Sequence, residues 1–403
     1  MKNNKSQKNI PDGWQDGKLG DFLNKIEGGG TPSKLRLDFW NGSIPWASVK
    51  DVVTHSSNDT QDHISEVGLK NSSSRLVLKG TLIVPTRMAL GHAVFFNVDV
   101  AINQDLKALY PKKELQKKFL FYWFEDKKGF IKRLGIGSTV DGIQQNELKA
   151  IKFNLPSLSE QNRIVGVLET WDQMIEKLSK KIKIKKNIKK GLMQNLLTGK
   201  IRLSGFNDKW KVRILGDIAK MSSGGTPKST VPEYYGGDMP WVSISDMTKN
   251  GKYIFKTEKK LTQSGLENCS VKIYPKGTIL YAMYASIGAC GIAGTEMSSS
   301  QAILGIISNK KELDGMFLYF YLTHLRDKIK LQGQQGAQSN LNAGMVKDFK
   351  INLPNIKEQS AIVNILNISD EEIKVIKKKL SILKDQKKYL LNNLITGKIR
   401  IKQ

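Results

Sequence analysis

Two cysteines in 403 residues, Cys269 and Cys290, form no CxxC pair and no Cys/His cluster. That scarcity argues against a disulfide framework and a zinc site, and it fits a reducing cytoplasm. Histidine is nearly as rare, and His55, His63, His92 and His324 lack any paired spacing for a metal. There is no GxxxxGK[ST] phosphate loop, no GxSxG nucleophile turn and no strand leading into a Gly-rich cofactor turn. Long apolar runs are missing too. The opening MKNNKSQKNIPDGW has no stretch of signal-peptide type, and the uncharged run from Thr278 to Thr295 is Gly-rich and reads as buried strands.

Acidic residues are also in deficit. Asp and Glu number 37 against 64 Lys and Arg, a formal charge of +27. Such an excess calls for a polyanionic partner, because each neutralised phosphate releases condensed counterions. With the membrane reading weakened, nucleic acid leads.

What is present is present twice. Gly29-Gly30-Thr31-Pro32 recurs as Gly224-Gly225-Thr226-Pro227, and Ile44-Pro45-Trp46 through Asp51 recurs as Met239-Pro240-Trp241 through Asp246, both offset by 195. Lys79-Gly80-Thr81 matches Lys276-Gly277-Thr278 at 197. Asn154-Leu155-Pro156, Glu160-Gln161 and LLTGKIRL (Leu196 to Leu203) match Asn352-Leu353-Pro354, Glu358-Gln359 and LITGKIRI (Leu394 to Ile401) at 198. An offset that drifts by three residues over half a chain is a duplication with small loop changes.

Each copy divides into two parts. The first mixes short β-branched and aromatic runs (Gly80 to Phe96, Gly277 to Ile292) with helical stretches such as Glu114 to Lys128, which predicts a globular α+β domain. The second opens on Ser157-Leu-Ser-Glu160 or Asn355-Ile-Lys-Glu358, each a capping-box pattern that starts a helix. Apolar residues then recur at steps of three and four: Ile164, Leu168, Trp171, Ile175, Leu178 and Ile182 in one copy, Ile362, Leu366, Ile373, Ile376, Leu380 and Leu383 in the other. This is a heptad seam, and two seams in one chain can bury each other as an antiparallel coiled coil about a pseudo-two-fold axis. Gly199 and Gly397 are placed to end the helices, each roughly 57 Å long. The surplus lysines Lys180, Lys181, Lys183, Lys185 and Lys186 fall on the outer, solvated face. The expected order is a domain over 1–155, a helix over 156–204, a domain over 205–353 and a helix over 354–403.

Three patterns imitate catalytic motifs. Asn154-Leu155-Pro156-Ser157 and Asn352-Leu353-Pro354-Asn355 are similar to the Asn-Pro-Pro-aromatic motif of amino-methyltransferases, but lack the second Pro and the aromatic. They read as entries into the helix cap. Asp246 with Glu258-Lys259-Lys260 has a nuclease outline, yet the other copy has His63-Ile64-Ser65 at that place. The chain by itself is therefore read as a non-catalytic binding protein.

Two variable α+β domains alternating with two conserved helices, GGTP followed by Pro-Trp, Leu-Pro then Glu-Gln at each helix entry, and Leu-(Leu/Ile)-Thr-Gly-Lys-Ile-Arg at each exit resemble the specificity subunits of type I restriction-modification enzymes. The resemblance covers nearly the whole chain. It implies two target-recognition domains reading a bipartite, asymmetric site in double-stranded DNA. It also implies a helix pair that docks two modification (methyltransferase) subunits, which restriction (ATP-dependent translocase and nuclease) subunits then join. S-adenosylmethionine, ATP and Mg²⁺ would belong to those partners, leaving this chain no cofactor of its own.

Candidate DNA-binding residues are polar or basic positions on Gly-flanked loops of both copies. They are Thr31, Lys34, Arg36, Lys50, Arg87 and Gln104, against Thr226, Lys228, Ser229, Ser245, Tyr284 and Gln301. A late loop adds Thr139, Gln144 and Gln145 in copy one and Gln334, Gln335, Gln338 and Asn340 in copy two. Arg suits guanine, Gln and Asn suit adenine, and Lys usually meets phosphate. The GGTP segments either orient a strand or touch DNA directly. Trp46 and Trp241 are read as core anchors, and Asp51 and Asp246, which join the candidates beside Lys50 and Ser245, either cap a loop or touch cytosine. Two other classes stay open at this point: a stand-alone DNA methyltransferase or nuclease, and a coiled-coil RNA-binding scaffold.

Overall fold

The computed structural model describes residues 10–54, 56–135, 142–334 and 341–401, without the side chains of 327, 328 and 330–334. Its contacts group the chain into two compact units, Met1–Ser179 with Lys379–Gln403, and Lys180–Lys378. Each unit thus holds one globular domain, the first half of one long helix and the last part of the other.

In unit 1, one sheet orders the strands Leu23–Gly28, Leu106–Pro111, Leu82–Pro85 and Val94–Phe95, all antiparallel. A second orders Asp62–Ile64, Trp40–Ala47, Val100–Ile102 and Arg75–Val77. Its central pairing is parallel, with Trp46 opposite Ala101. Ala47, Ile83, Phe96, Val100 and Ile102 close a core drawn from both sheets. The expected helix near Glu114 to Lys128 is α1, Lys117–Leu134, which runs to the Gly135 cap and packs Phe119, Leu120, Trp123 and Phe124 inward. Strand Gln15–Lys18 pairs with Lys152–Leu155, so the domain's first and last strands close on each other just before the long helix α2, Leu158–Leu196.

Unit 2 repeats this plan. Ala219–Ser223, Ile303–Ser308, Ile279–Ala282 and Cys290–Ala293 build the first sheet, and Lys259–Leu261, Tyr235–Val242, Met297–Ser299 and Ile273–Tyr274 the second. Trp241 again sits in the parallel pairing, opposite Ser298. The difference is an added edge strand, Tyr253–Ile254, parallel to Cys290–Ala293. Helix α3, Gly315–Gln334, and the strand pair Lys211–Ile214 with Lys350–Leu353 lead to the second long helix, α4, Ile356–Ile395.

Within each unit the two long helices run antiparallel. In unit 1 Glu160 meets Arg400 and Asp172 meets Lys387; in unit 2 Lys185 meets Glu372 and Lys189 meets Asp370. Ile164, Val165 and Leu168 join Leu391, Leu394 and Ile395 in one core that also contains Phe119 and Phe153. Met193, Leu196 and Leu197 join Ile362, Val363 and Leu366 with Phe317 and Phe320. The helix ends therefore pack on each other and on the domain at once. Each fully buried apolar side chain there contributes about 1.5–3 kcal/mol of gross transfer energy. Farther along, Ile182, Ile373, Ile376 and Leu383 are buried, while Trp171, Ile175, Leu178 and Leu380 are half-buried.

Two expectations need correction. Only half of each capping box forms: Ser157 Oγ and Asn355 Oδ1 accept the Glu160 and Glu358 N–H groups at 3.3 and 2.9 Å, but the two glutamates turn away. Their buried carboxylates accept from an Arg and a Trp instead, which a cap alone could not provide. Among the outer lysines, Lys185 is no solvated charge but a partner of Glu372 at 2.7 Å. Gly199 and Gly397 end the helices with φ of 71° and 68°, the left-handed conformation that glycine adopts most cheaply.

Candidate nucleic-acid interface

The GGTP loops are held from beneath. A Cβ on Gly29 would lie 1.8 Å from the Ile102 carbonyl oxygen, and one on Gly224 would lie 2.2 Å from that of Ser299, so only glycine lets the loop approach the sheet so closely. The Trp46 indole N–H donates to the Gly30 carbonyl at 3.2 Å, and that of Trp241 to Gly225 at 2.9 Å. Both rings are buried, so the tryptophans anchor the loops from the core and offer no stacking platform. What the loop pushes outward is the threonine. Thr31 Oγ1 donates to Gln104 Oε1 at 2.5 Å, and Thr226 Oγ1 accepts the Gln301 N–H at 3.4 Å.

Asp51 and Asp246 are buried caps. Each takes the N–H and hydroxyl of the serine three residues earlier on one oxygen, and a distant N–H on the other, from Gln61 at 2.8 Å or Glu258 at 2.9 Å. Asp246 is thus saturated, and Glu258 shows it a backbone N–H while its carboxylate pairs with Lys249. Among the described residues no group of three His, Cys, Asp or Glu could hold a metal. Asn154 and Asn352 lie in the two-stranded closures that precede the long helices.

Beside each threonine lies a loop with an unusual backbone. Met88 and Ala285, at equivalent positions, have φ of 62° and 56°, and Gly91 and Gly288 follow at 79° and 74°. Arg87 and Tyr284 immediately precede the turn and are exposed. In unit 1 the loop borders a cleft of about 740 Å³ lined by Lys50, Val53, Met88, His92, Asn103 and Asp105. Burial and the nearby Lys128 hold the His92 imidazole below its ordinary pKa, and burial lowers that of Lys107, whose ammonium donates to the Gln104 carbonyl at 3.0 Å.

Of the other candidates, Lys34, Lys50, Lys228, Ser229 and Ser245 are exposed. Arg36 is exposed but forks onto Asp38 at 2.9 and 2.7 Å, which neutralises it. Gln144 heads the short helix Gln145–Ala150, its N–H donating to Glu147, and Gln145 is half-buried. Gln334 is described in backbone only, and Thr139, Gln335, Gln338 and Asn340 lie outside the described residues. Sequence reasoning missed Met88, Asp105 and Lys107.

A second constellation explains the repeated Glu-Gln and Lys-Ile-Arg motifs. Glu160, almost wholly buried, accepts Arg400 Nε and Nη2 at 2.5 and 2.8 Å and the Trp14 indole N–H at 3.1 Å. In unit 2 Glu358 accepts Arg202 at 2.6 and 2.8 Å and Trp210 at 3.1 Å. The arginine leaving one helix thus clamps the glutamate entering the other. The next residue ties the entry to its domain: buried Gln161 accepts the Gln116 N–H and donates to the Glu114 and Pro156 carbonyls, all at 2.8–2.9 Å. Gln359 does the same with Asp314, Glu312 and Pro354. Asp12-x-Trp14 and Asp208-x-Trp210 repeat at offset 196, a signal in the sequence that marks the third member of each clamp.

Comparison with known proteins gives one consistent result. The family described as type I restriction modification DNA specificity domain matches residues 11–186 and 207–385. The MjaIX type I restriction enzyme specificity subunit of Methanocaldococcus jannaschii is 24% identical over 98% of this chain and 95% of its own length. Among solved structures, the S subunit of a type I restriction-modification system from M. genitalium covers 98% of both chains with a TM-score of 0.57 at 18% identity. A chain from a structural study of assembly and conformational transition in the type I R-M system gives 0.66 at 16% identity, covering 97% of this chain and all of its own. At such identities the structural likeness speaks for the fold alone.

Proposed function

The chain belongs to the family of type I restriction-modification DNA specificity subunits, and on that premise we propose that each unit reads one half of an interrupted, asymmetric DNA target. One observation carries the reading. The two units hold equivalent loops on equivalent frames, yet present different side chains there, Arg87 and Lys50 against Tyr284 and Ser245. A shared frame with exchanged polar tips suits two related tasks on two sequences, and the charge of +27 suits a duplex as the common ligand.

The long helices supply the spacer and the docking frame for two modification subunits, with restriction subunits joining that assembly in the cytoplasm. Methyl transfer and cleavage belong to those partners, together with S-adenosylmethionine, ATP and Mg²⁺. The chain contributes selection and placement. Replacing residues 1–155 by the recognition domain of a relative, in the assembled enzyme, tests the reading. One half of the methylated sequence should change and the other half should not; a change in both halves, or in neither, would overturn it.

A further inference from the structure

The internal repeat allows one position in the two units to be compared on a common backbone. Thr86 N donates to the Asp105 carbonyl at 2.8 Å, and Met283 N to that of Ala302 at 2.9 Å. Ile143 N donates to Thr86 O at 2.9 Å, and Leu341 N to Met283 O at 3.0 Å. With the left-handed Met88 and Ala285 added, the two loop tips share one conformation. A non-glycine residue adopts that conformation only against steric resistance, so the surrounding frame imposes it whatever side chain is displayed.

On this frame two residues change together. Unit 1 has Arg87 facing Asp105, with Nη1 3.7 Å from Oδ1; unit 2 has Tyr284 and Ala302 at the equivalent places. Asp105 is mostly buried and is held by Asn103, whose Oδ1 accepts the Asp105 N–H at 3.1 Å and whose Nδ2 donates to Oδ2 at 3.4 Å. Arg87 remains more than half exposed. A guanidinium drawn toward a carboxylate at 3.7 Å, beyond hydrogen-bond length, is biased toward one side of the loop without being tied down, and its planar fork can still turn to a base edge. That fork matches the paired N7 and O6 acceptors of guanine in the major groove. The pair is also nearly neutral, which makes it a poor phosphate clamp. The loss of both members in unit 2 argues that they work as one device.

Resting on the DNA-reading function above, we propose that Arg87 selects a guanine in one half of the target, with Asp105 as its positioning residue, and that unit 2 does not require guanine at the equivalent base pair.

The test uses the full chain assembled with its modification subunits, S-adenosylmethionine and a pool of duplexes varied at each target position, with methylation read by sequencing. The unaltered assembly should prefer guanine at one position of one half-site by about tenfold to a hundredfold. Arg87→Ala should bring all four bases within about threefold there and leave every other position unchanged. Arg87→Lys should retain only part of the preference, since an ammonium meets N7 and O6 as a point charge without the planar fork, and Asp105→Asn should weaken it part-way. The double replacement Tyr284→Arg with Ala302→Asp should create a guanine preference in the other half-site, a gain that no merely structural role would produce. An assembly that selects a bipartite target but keeps the same preferences with Arg87→Ala, or loses methylation evenly on all duplexes, would overturn the proposal while leaving the function intact. No preference at any position with the unaltered chain would instead overturn the function.

Discussion

Removing the arginine from a clamp should cost far more than removing an ordinary surface ion pair. In unit 2 the Glu358 side chain is 1% exposed and Arg202 28% exposed, joined by two bonds of 2.6 and 2.8 Å. Arg202→Met would leave the carboxylate buried with only the Trp210 N–H. Breaking a buried pair from one side typically costs 3–5 kcal/mol; because water already reaches Arg202, about 3 kcal/mol is expected. In unit 1 Arg400 is 41% exposed, so solvent screens the pair more and Arg400→Met should cost about 1–2 kcal/mol. Taking both charges away, as Arg202→Met with Glu358→Leu, should be milder than Arg202→Met alone, since no orphan charge remains. Native-state hydrogen exchange can read this locally, in the strand pair Lys211–Ile214 with Lys350–Leu353 and in the first turns of α4. A loss of 3 kcal/mol raises the opening constant there roughly a hundredfold. Equal small effects of Arg202→Met and Arg400→Met, or an Arg202→Met/Glu358→Leu double costlier than Arg202→Met alone, would contradict this.

Other outcomes follow from the same geometry. Gly199→Ala and Gly397→Ala both force a left-handed alanine, costing about 1 kcal/mol. A Cβ on Gly397 would also lie 2.3 Å from Pro11 Cγ, against an ordinary 3.4 Å to Trp210 for Gly199, so Gly397→Ala should lower Tm more in thermal melts; the reverse order would contradict the packing. Because Arg202 and Arg400 occupy equivalent clamp positions, a fragment of residues 1–204 should self-associate, with Glu160 meeting Arg202 of the second copy. With modification subunit it should methylate an interrupted palindrome built from one half-site. Sedimentation of a folded fragment that stays monomeric would count against the two-fold design.

The duplicated plan was legible because motifs kept their register at 195 to 198 residues, and the helix entries and exits because Pro, Gly and heptad spacing are local signals. Trp46 and Trp241 read correctly as anchors because a large ring in a short strand is more readily placed in a core than on a surface. The clamp did not read. Glu160 and Arg400 lie 240 residues apart, and Glu160 alone fits a capping box, so nothing local distinguishes the two roles. Likewise Asp105 gains meaning only when the fold sets it against Arg87, and Arg36 loses its apparent freedom only when Asp38 turns back onto it. Arg36 and Asp38, two residues apart, form a local pair, whereas the clamp and Arg87–Asp105 are joined only by the fold and left no local spacing to detect.

Under the proposed function, two units of one design select two different half-sites. A genome-wide map of methylated adenines in the source organism, with and without this gene, tests it most directly. Deletion is expected to remove methylation from one interrupted, asymmetric sequence and from no other. An unchanged map, or loss confined to a continuous or palindromic site, would contradict it.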